Sequence, residues 1–458
     1  LYSRITVSFE LALRRGSGEK NTAQDASRAQ SPKSYDANYK SALQGKTPVM
    51  ATKKFDLVIF GATSFVGQIL TEYLFEHIGL TRKVKWAIAG RSEAKLNELR
   101  DSLGEKAAKL PIMVADSHDS EALDAMCGKS RVIVSTVGPY IRYGEELIAA
   151  CVKNGNDYCD LTGEAYWIKQ MIVKYEKAAK KSGARIVNCC GFDSIPSDLG
   201  THFLQQHGKQ QFGSYFNSVK LRVKAMKGGA SGGTIASMGE MIIAAKADPE
   251  VRKAMGNPYI LCPEKHKYSI RQHSLKGPAY DNDFASWTGP FVMEAINSRV
   301  VLRSNALLKM AYGKDFSYGE AMLTGDGAKG RVKAIALTAA LGAFAGSMIL
   351  DPLRNLMNKF VLPKPGEGPS LQDQLNGYFD IRLLGTNKKG QQLSVQVTGD
   401  RDPGYGCTAK MLAQSALCLA FDVAKEDKAG GFWTPATAMG DLLIERLNKH
   451  AGMTFNQQ

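Results

Sequence analysis

Phe55-Asp56-Leu57-Val58-Ile59-Phe60-Gly61-Ala62-Thr63-Ser64-Phe65-Val66-Gly67 is an apolar strand that runs into a glycine-bounded turn. A helix follows over Gln68-Ile69-Leu70-Thr71-Glu72-Tyr73-Leu74. Free backbone N–H groups and the positive end of a helix dipole then meet where a diphosphate can sit. The next strand, Val84 to Ala89, leads into Gly90-Arg91-Ser92. Sites for NAD place an acidic residue at that strand end to bind the ribose 2′-hydroxyl. A guanidinium and a hydroxyl suit a 2′-phosphate instead, which an aspartate would repel. The pair therefore predicts NADP(H) and redox chemistry. Ser64 stands where a middle glycine is common, and its hydroxyl is expected to reach a phosphate oxygen. The competing reading is a plain βα turn in a non-binding sheet; strand, turn, helix, second strand and Arg91 together weigh against it.

Working outward, strands and helices alternate from Lys54 onward. Arg131 to Val137 reads as a buried strand breaking at Gly138-Pro139-Tyr140, and Glu145 to Lys153 as a helix. Asp157 to Leu161 is a short strand, Tyr166 to Ser182 a helix, and Ala184 to Cys190 another buried strand. Ser197 is expected to cap the next helix. This alternation predicts a doubly wound parallel sheet of the Rossmann type, with ligands at the carboxyl ends of its strands. The expected cofactor-binding residues are Gly61, Thr63, Ser64, Phe65, Val66, Gly67, Arg91, Ser92, Thr136, Val137 and Gly138.

Hydride transfer needs a proton donor beside the reacting atoms. Tyr140 and Tyr143, flanking Arg142, are candidates, as are Asp160, paired with Glu164 across a Thr-Gly turn, and Asp193 beside Ser194. Each has a structural alternative: Asp160 ties down its turn, and Asp193 satisfies loop amides. No Tyr-x-x-x-Lys pair stands at a suitable place.

With 458 residues, 44% apolar and 22% charged, the chain is long enough for two domains and an extension. Eight cysteines form no C-x-x-C pair and no pattern with the seven histidines, so a reduced intracellular protein without a metal site is expected. His202 and His207 read as surface residues. The net charge of +15 is spread over the chain, which argues against a nucleic-acid-binding block. Its partial concentration between Arg222 and Lys276 suits anionic ligands such as NADP(H), acyl carriers or lipid headgroups. Residues 1–50, polar between Glu19 and Gln44, read as a disordered or leader extension, with import into an organelle left open. Ala334 to Leu350 is 17 residues without a charge, flanked by Lys329, Arg331, Lys333 and by Arg354, Lys359, Lys364. It is a membrane-seated segment or a buried or dimer-interface helix.

The strings Tyr143-Gly144-Glu145-Glu146-Leu147-Ile148-Ala149-Ala150-Cys151, Asp157 to Glu164 and Gly191-Phe192-Asp193-Ser194-Ile195-Pro196-Ser197-Asp198 resemble the saccharopine dehydrogenase-like oxidoreductases. The nearer group is that of the trans-acting enoyl reductases. Pro365 to Ser370, Gly399 to Tyr405 and Gly430 to Gly440 match too, so the resemblance spans Lys54 to Phe455. It implies a Rossmann domain (54–200) and a second α+β domain with an antiparallel sheet (201–400, a substrate or dimerisation domain holding 334–350). A C-terminal segment (401–458) would return to the first domain. It further implies a lipid-derived enoyl or keto substrate and attachment to a membrane or lipid droplet. Two other readings stay open: a membrane-associated dinucleotide-binding scaffold without turnover, and a saccharopine or amino-acid dehydrogenase.

Overall fold

The structure, a computed structural model, describes residues 53–229, 232–360 and 367–458; the expected extension over 1–50 and the Pro365-Gly366 pair lie outside them. The first sheet starts with β1 (Phe55–Phe60), β2 (Trp86–Gly90), β3 (Ile112–Val114), β4 (Ser130–Ser135), β5 (Asp157–Asp160) and β6 (Arg185–Val187). Its helices are α1 (Phe65–His77), α2 (Glu93–Ser102), α3 (Ser120–Gly128), the single turn α4 (Tyr140–Tyr143), α5 (Glu145–Asn154) and α6 (Ala165–Ser182). Leu57, Val58 and Ile59 are wholly buried, as a strand covered by helices on both faces must be. The order across this all-parallel sheet is the strand Gly431–Trp433, then β6, β5, β4, β1, β2, β3. The reversal of direction between β1 and β4 is the switch point where dinucleotides bind.

From β6 the chain enters α7 (Ile195–Phe212), whose cap lies three residues before the expected Ser197. Ser194 occupies the cap position and Pro196 lies in the first turn, so Ser197 is one turn in, where it bonds Tyr318 and Glu320. Expected strand Ala184 to Cys190 is cut to three residues because Cys189 turns into the left-handed region, φ 62°. His202 is buried rather than on the surface, its Nε2 2.9 Å from Asp441 Oδ1.

The second sheet starts with β7 (Ser218–Lys227). Helices α8 (Gly232–Ala247) and α9 (Pro249–Gly256) follow, then β8 (Ala279–Asp281), β9 (Ser286–Gly289), α10 (Glu294–Leu307) and β10 (Ser317–Gly325). Next come α11 (Gly327–Ile349), α12 (Asp351–Phe360), α13 (Leu371–Leu375), β11 (Tyr378–Thr386) and β12 (Gln392–Gly399). This sheet is mixed: β7 and β10 run parallel, because the chain crosses over through the intervening helices and hairpin, and the other pairs are antiparallel. Its α7 face is tight. A Cβ on Gly200 would lie 3.1 Å from Val397 and 3.2 Å from Leu383.

The last stretch serves both sheets. α14 (Thr408–Phe421) is buried along nearly its whole length. β13 (Gly431–Trp433) is the first sheet's edge strand. After α15 (Pro435–Ala438) and α16 (Gly440–His450), β14 (Met453–Gln457) pairs with β12 in the second sheet. Buried Arg185 fixes this return: it grips Asp157 and donates to the carbonyls of Leu419 and Val423, while Lys425 reaches Asp157 from the other side. The eight cysteines are buried thiols.

Candidate functional site

At the switch point the β1 turn lies hard against the loop after β4. Gly61 has φ +88°, and a Cβ on it would come within 2.6 Å of Val137 and 2.8 Å of Thr136 Oγ1. A Cβ on Gly67 would lie 2.2 Å from the Gly61 carbonyl. Both glycines therefore hold the turn to the start of α1 at a distance no side chain permits. The N–H groups of Thr63, Phe65 and Val66 carry no hydrogen bond among the described residues, as the first groups of a helix do until an anion meets them.

Ser64 does something other than expected. Its Oγ accepts from Gly67 N at 3.0 Å and lies 2.9 Å from Thr136 Oγ1. Thr136 spends its own proton on the Gly61 carbonyl, 2.8 Å away, so Ser64 donates to Thr136. The hydroxyl thus stitches the two loops together and is not available to a phosphate. Thr136 shares that duty, and Phe65 contributes its N–H while its ring packs against Tyr405, 5.2 Å between centroids.

At the end of β2, Arg91 is exposed and makes no ion pair among the described residues. Ser92 caps α2 by accepting from Lys95 N at 3.4 Å, leaving its O–H free to donate outward. An unpaired guanidinium, a hydroxyl and a helix N-terminus together fit a 2′-phosphate. The unmet amides and close-set glycines fit the diphosphate, so the residues present suit NADP(H). With its 2′-phosphate held at the end of β2, a dinucleotide would reach the other side of the switch point, where the loops after β4 and β5 stand.

The four candidate proton donors separate on that side. Tyr140 is buried, its Oη donating to the Ser135 carbonyl at 3.1 Å and accepting from Leu161 N at 3.4 Å; it props two loops and has no proton to give a substrate. Tyr143 is half-buried with its ring beside His118. Asp160 is saturated, taking Thr162 N and Cys189 N on one oxygen and Tyr158 Oη and Asn188 Nδ2 on the other. Burial still pushes it up to about 6. Glu164 accepts the N–H groups of Tyr140 and Ile141, clamping the start of α4. Of these rim carboxyls, Asp193 alone is uncommitted among the described residues. It is half-buried, has no hydrogen bond among the described residues, and burial raises it to about 7.

Several neighbours escaped sequence reasoning. Helix α8 roofs the rim: Ser237 bonds Glu164 and would touch a Cβ on Gly138 at 3.7 Å, and Glu240 pairs with Arg142 at 2.6 Å. Gly368 lies so close that a Cβ would enter the Phe65 ring at 2.3 Å. Buried Asp402 accepts from Tyr405 N and Gly406 N, seating the second sheet's loops beside the diphosphate turn. Only repeated glycines flanking Asp402 hinted at such close contacts. The basic stretch from Arg222 is partly neutralised, with Arg222 2.7 Å from Asp281 and Lys224 3.9 Å from Asp380.

Residues 57–187 match the family described as the saccharopine dehydrogenase NADP binding domain. A putative trans-acting enoyl reductase of Mycobacterium tuberculosis is 40% identical over 403 residues, covering 86% of this chain and 96% of that protein. The trans-acting enoyl reductase of Mycobacterium bovis is 37% identical over 406 residues, covering 87% and 96%. Among solved structures, apo saccharopine dehydrogenase (L-Glu forming) from Saccharomyces cerevisiae aligns over 88% of this chain and 99% of its own, with a TM-score of 0.48 at 12% identity.

Proposed function

The chain belongs to the saccharopine dehydrogenase-like oxidoreductases, in the group of the trans-acting enoyl reductases, and uses NADP(H); from that premise we propose that it reduces a lipid-derived enoyl or keto substrate. The observation that carries the reading is the identity to relatives named enoyl reductases, which runs through 96% of their length. Bound at the switch point, NADPH supplies hydride. The protein's part is to hold the diphosphate on the Thr63, Phe65 and Val66 amides, to grip the 2′-phosphate with Arg91 and Ser92, and to roof the reacting side with α8. A lipid-like substrate is supported by the apolar character of the neighbouring helices. Ile242 of α8, Phe344 of α11 and Met357 of α12 all pack against buried Met348 of α11. Purified protein should oxidise NADPH with medium- or long-chain 2-enoyl thioesters, and NADH far more slowly. Turnover with a 2-oxo acid and an amine donor, and none with enoyl or keto lipids, would move the assignment to an amino-acid dehydrogenase; NADPH binding without turnover of either class would favour the scaffold.

A lipid surface is the second part of the proposal. Helix α11 is 23 residues long, apolar enough to cross a membrane, and about a tenth buried (11%) over its most apolar window. Val332, Ile335, Ile349, Leu350, Leu353 and Leu356 of α11, α12 and the turn between them are exposed. Exposed Lys329 and Lys333 at the start of α11 suit anionic headgroups. The site of action is then cytoplasmic, at a membrane or lipid-droplet surface. The second domain is proposed to pair two copies there, and light scattering on the same preparations tests that homodimer.

A further inference from the structure

We propose that Asp193 is the general acid of this enzyme, giving its carboxyl proton to the substrate at the mouth formed by the loops after β5 and β6. The inference rests on the reductase reading above and deepens it. Asp193 follows β6, two loops along the rim from the β4 loop that closes the switch point and next to the β5 loop. Its Oδ2 would lie 3.3 Å from a Cβ on Gly163 in the β5 loop, so the two loops meet at this carboxyl and glycine at residue 163 keeps a side chain from crowding it. The other buried acids at this rim are consumed. Asp160 receives four hydrogen bonds, and Glu164 is locked onto two α4 amides. Tyr140 has both its donor and its acceptor function occupied. A carboxyl at this rim with no internal partner is available to a ligand, and a dinucleotide held at the switch point would bring its nicotinamide to this side.

The step balances simply. Hydride, one hydrogen with two electrons, forms a C–H bond at one end of the substrate double bond. The displaced π pair then takes the Asp193 proton at the other end; the O–H bond breaks, and the carboxylate left behind regains a proton from water. The double bond is reduced and the dinucleotide oxidised. Two other titratable groups feel the Asp193 charge from the elements around it, Tyr140 on α4 and Cys189 in the β6 loop, and burial keeps both neutral. The acid form is then the working form, and activity should fall as pH rises through about 7.

Asp193→Asn is close to isosteric and removes no internal hydrogen bond. It should fold, bind NADPH as wild type does, and lose turnover by about 10²–10⁴-fold. In the ligand-free protein, infrared difference spectra between pH 5.5 and 8.5 should contain a protonated-carboxyl band that Asp193→Asn removes. Wild-type turnover with the same high-pH limb in Asp193→Asn would overturn the proposal, as would persistence of the band. Loss of NADPH binding or of the fold in that variant would overturn it too, making Asp193 a structural residue. If wild type instead reduces only keto substrates, the enoyl reading fails while the Asp193 comparison is run on the ketone.

Discussion

Arg91 is the side chain proposed to set cofactor choice. Nothing among the described residues pairs with it, so its charge is available to a 2′-phosphate without first breaking an ion pair. A charge-assisted hydrogen bond of this kind is worth about 1.5–3 kcal/mol. Arg91→Ala should therefore weaken NADPH binding by about 10- to 100-fold with NADH little changed, measured by fluorescence titration. Equal loss for both would remove the 2′-phosphate assignment. Gly67→Ala tests the turn: a methyl 2.2 Å from a backbone oxygen cannot be relieved by rotating a side chain. NADPH affinity should drop at least about 10-fold while far-UV circular dichroism shows the fold kept. Both positions were legible in sequence, because glycine spacing and a strand-end arginine are local signals. The roles of Ser64 and Tyr140 were not. Whether a hydroxyl faces a ligand or a neighbouring loop depends on Thr136 and Leu161, which only the folded chain brings within reach.

At the scale of elements, the parallel sheet was readable because strands buried on both faces write themselves as apolar runs between helices. The mixed order of the second sheet was not, since β7 and β10 become neighbours across some ninety residues of crossover and no local pattern records that pairing. Helix α11 sits between these cases. Its uncharged length is plain in sequence, while its outward-facing side is a property of the packing: Leu337 presses on Gly289 of β9, and Ile335 and Ile349 remain half exposed. Placing charge there separates surface docking from core packing. The double substitution Ile335→Asp with Ile349→Asp should leave Tm and NADPH binding unchanged. Co-flotation with vesicles containing anionic lipid should fall by at least about 10-fold, given roughly 1.5–3 kcal/mol for burying one such side chain. Undiminished flotation would detach α11 from the proposed lipid contact; wild-type protein that never floats would end that proposal.

Over the whole molecule, a chain end that supplies a strand to each sheet makes the two sheets one folding unit, and buried carboxyls couple that unit to pH. Asp160, Asp198 and Asp402 are raised to about 6, and Asp193 and Glu320 to about 7, chiefly because burial disfavours their charged forms. Their unfolded values lie near 4. As pH rises from 4 toward 7, the unfolded chain ionises first and gains what the folded one cannot, so the stability present below pH 4 is progressively lost. His450, lowered to about 4 by burial, works the other way below its ordinary value, as one group against five. Acids held below their usual range, such as Asp281 beside Arg222 and Lys220, lose their contribution only under more acid conditions. Tm should therefore be higher at pH 5.5 than at pH 8, by about 2–4 °C for each kcal/mol so lost, opposite to the trend of a protein whose acids are all salt-bridged. Asp193→Asn should flatten that slope and raise Tm at pH 8, because it removes a carboxyl that must ionise in a poorly solvated place without removing a bond. A Tm that climbs from pH 5.5 to 8 in wild type would show that these acids reach water in the native state, and the neutral acid required for proton donation would go with them.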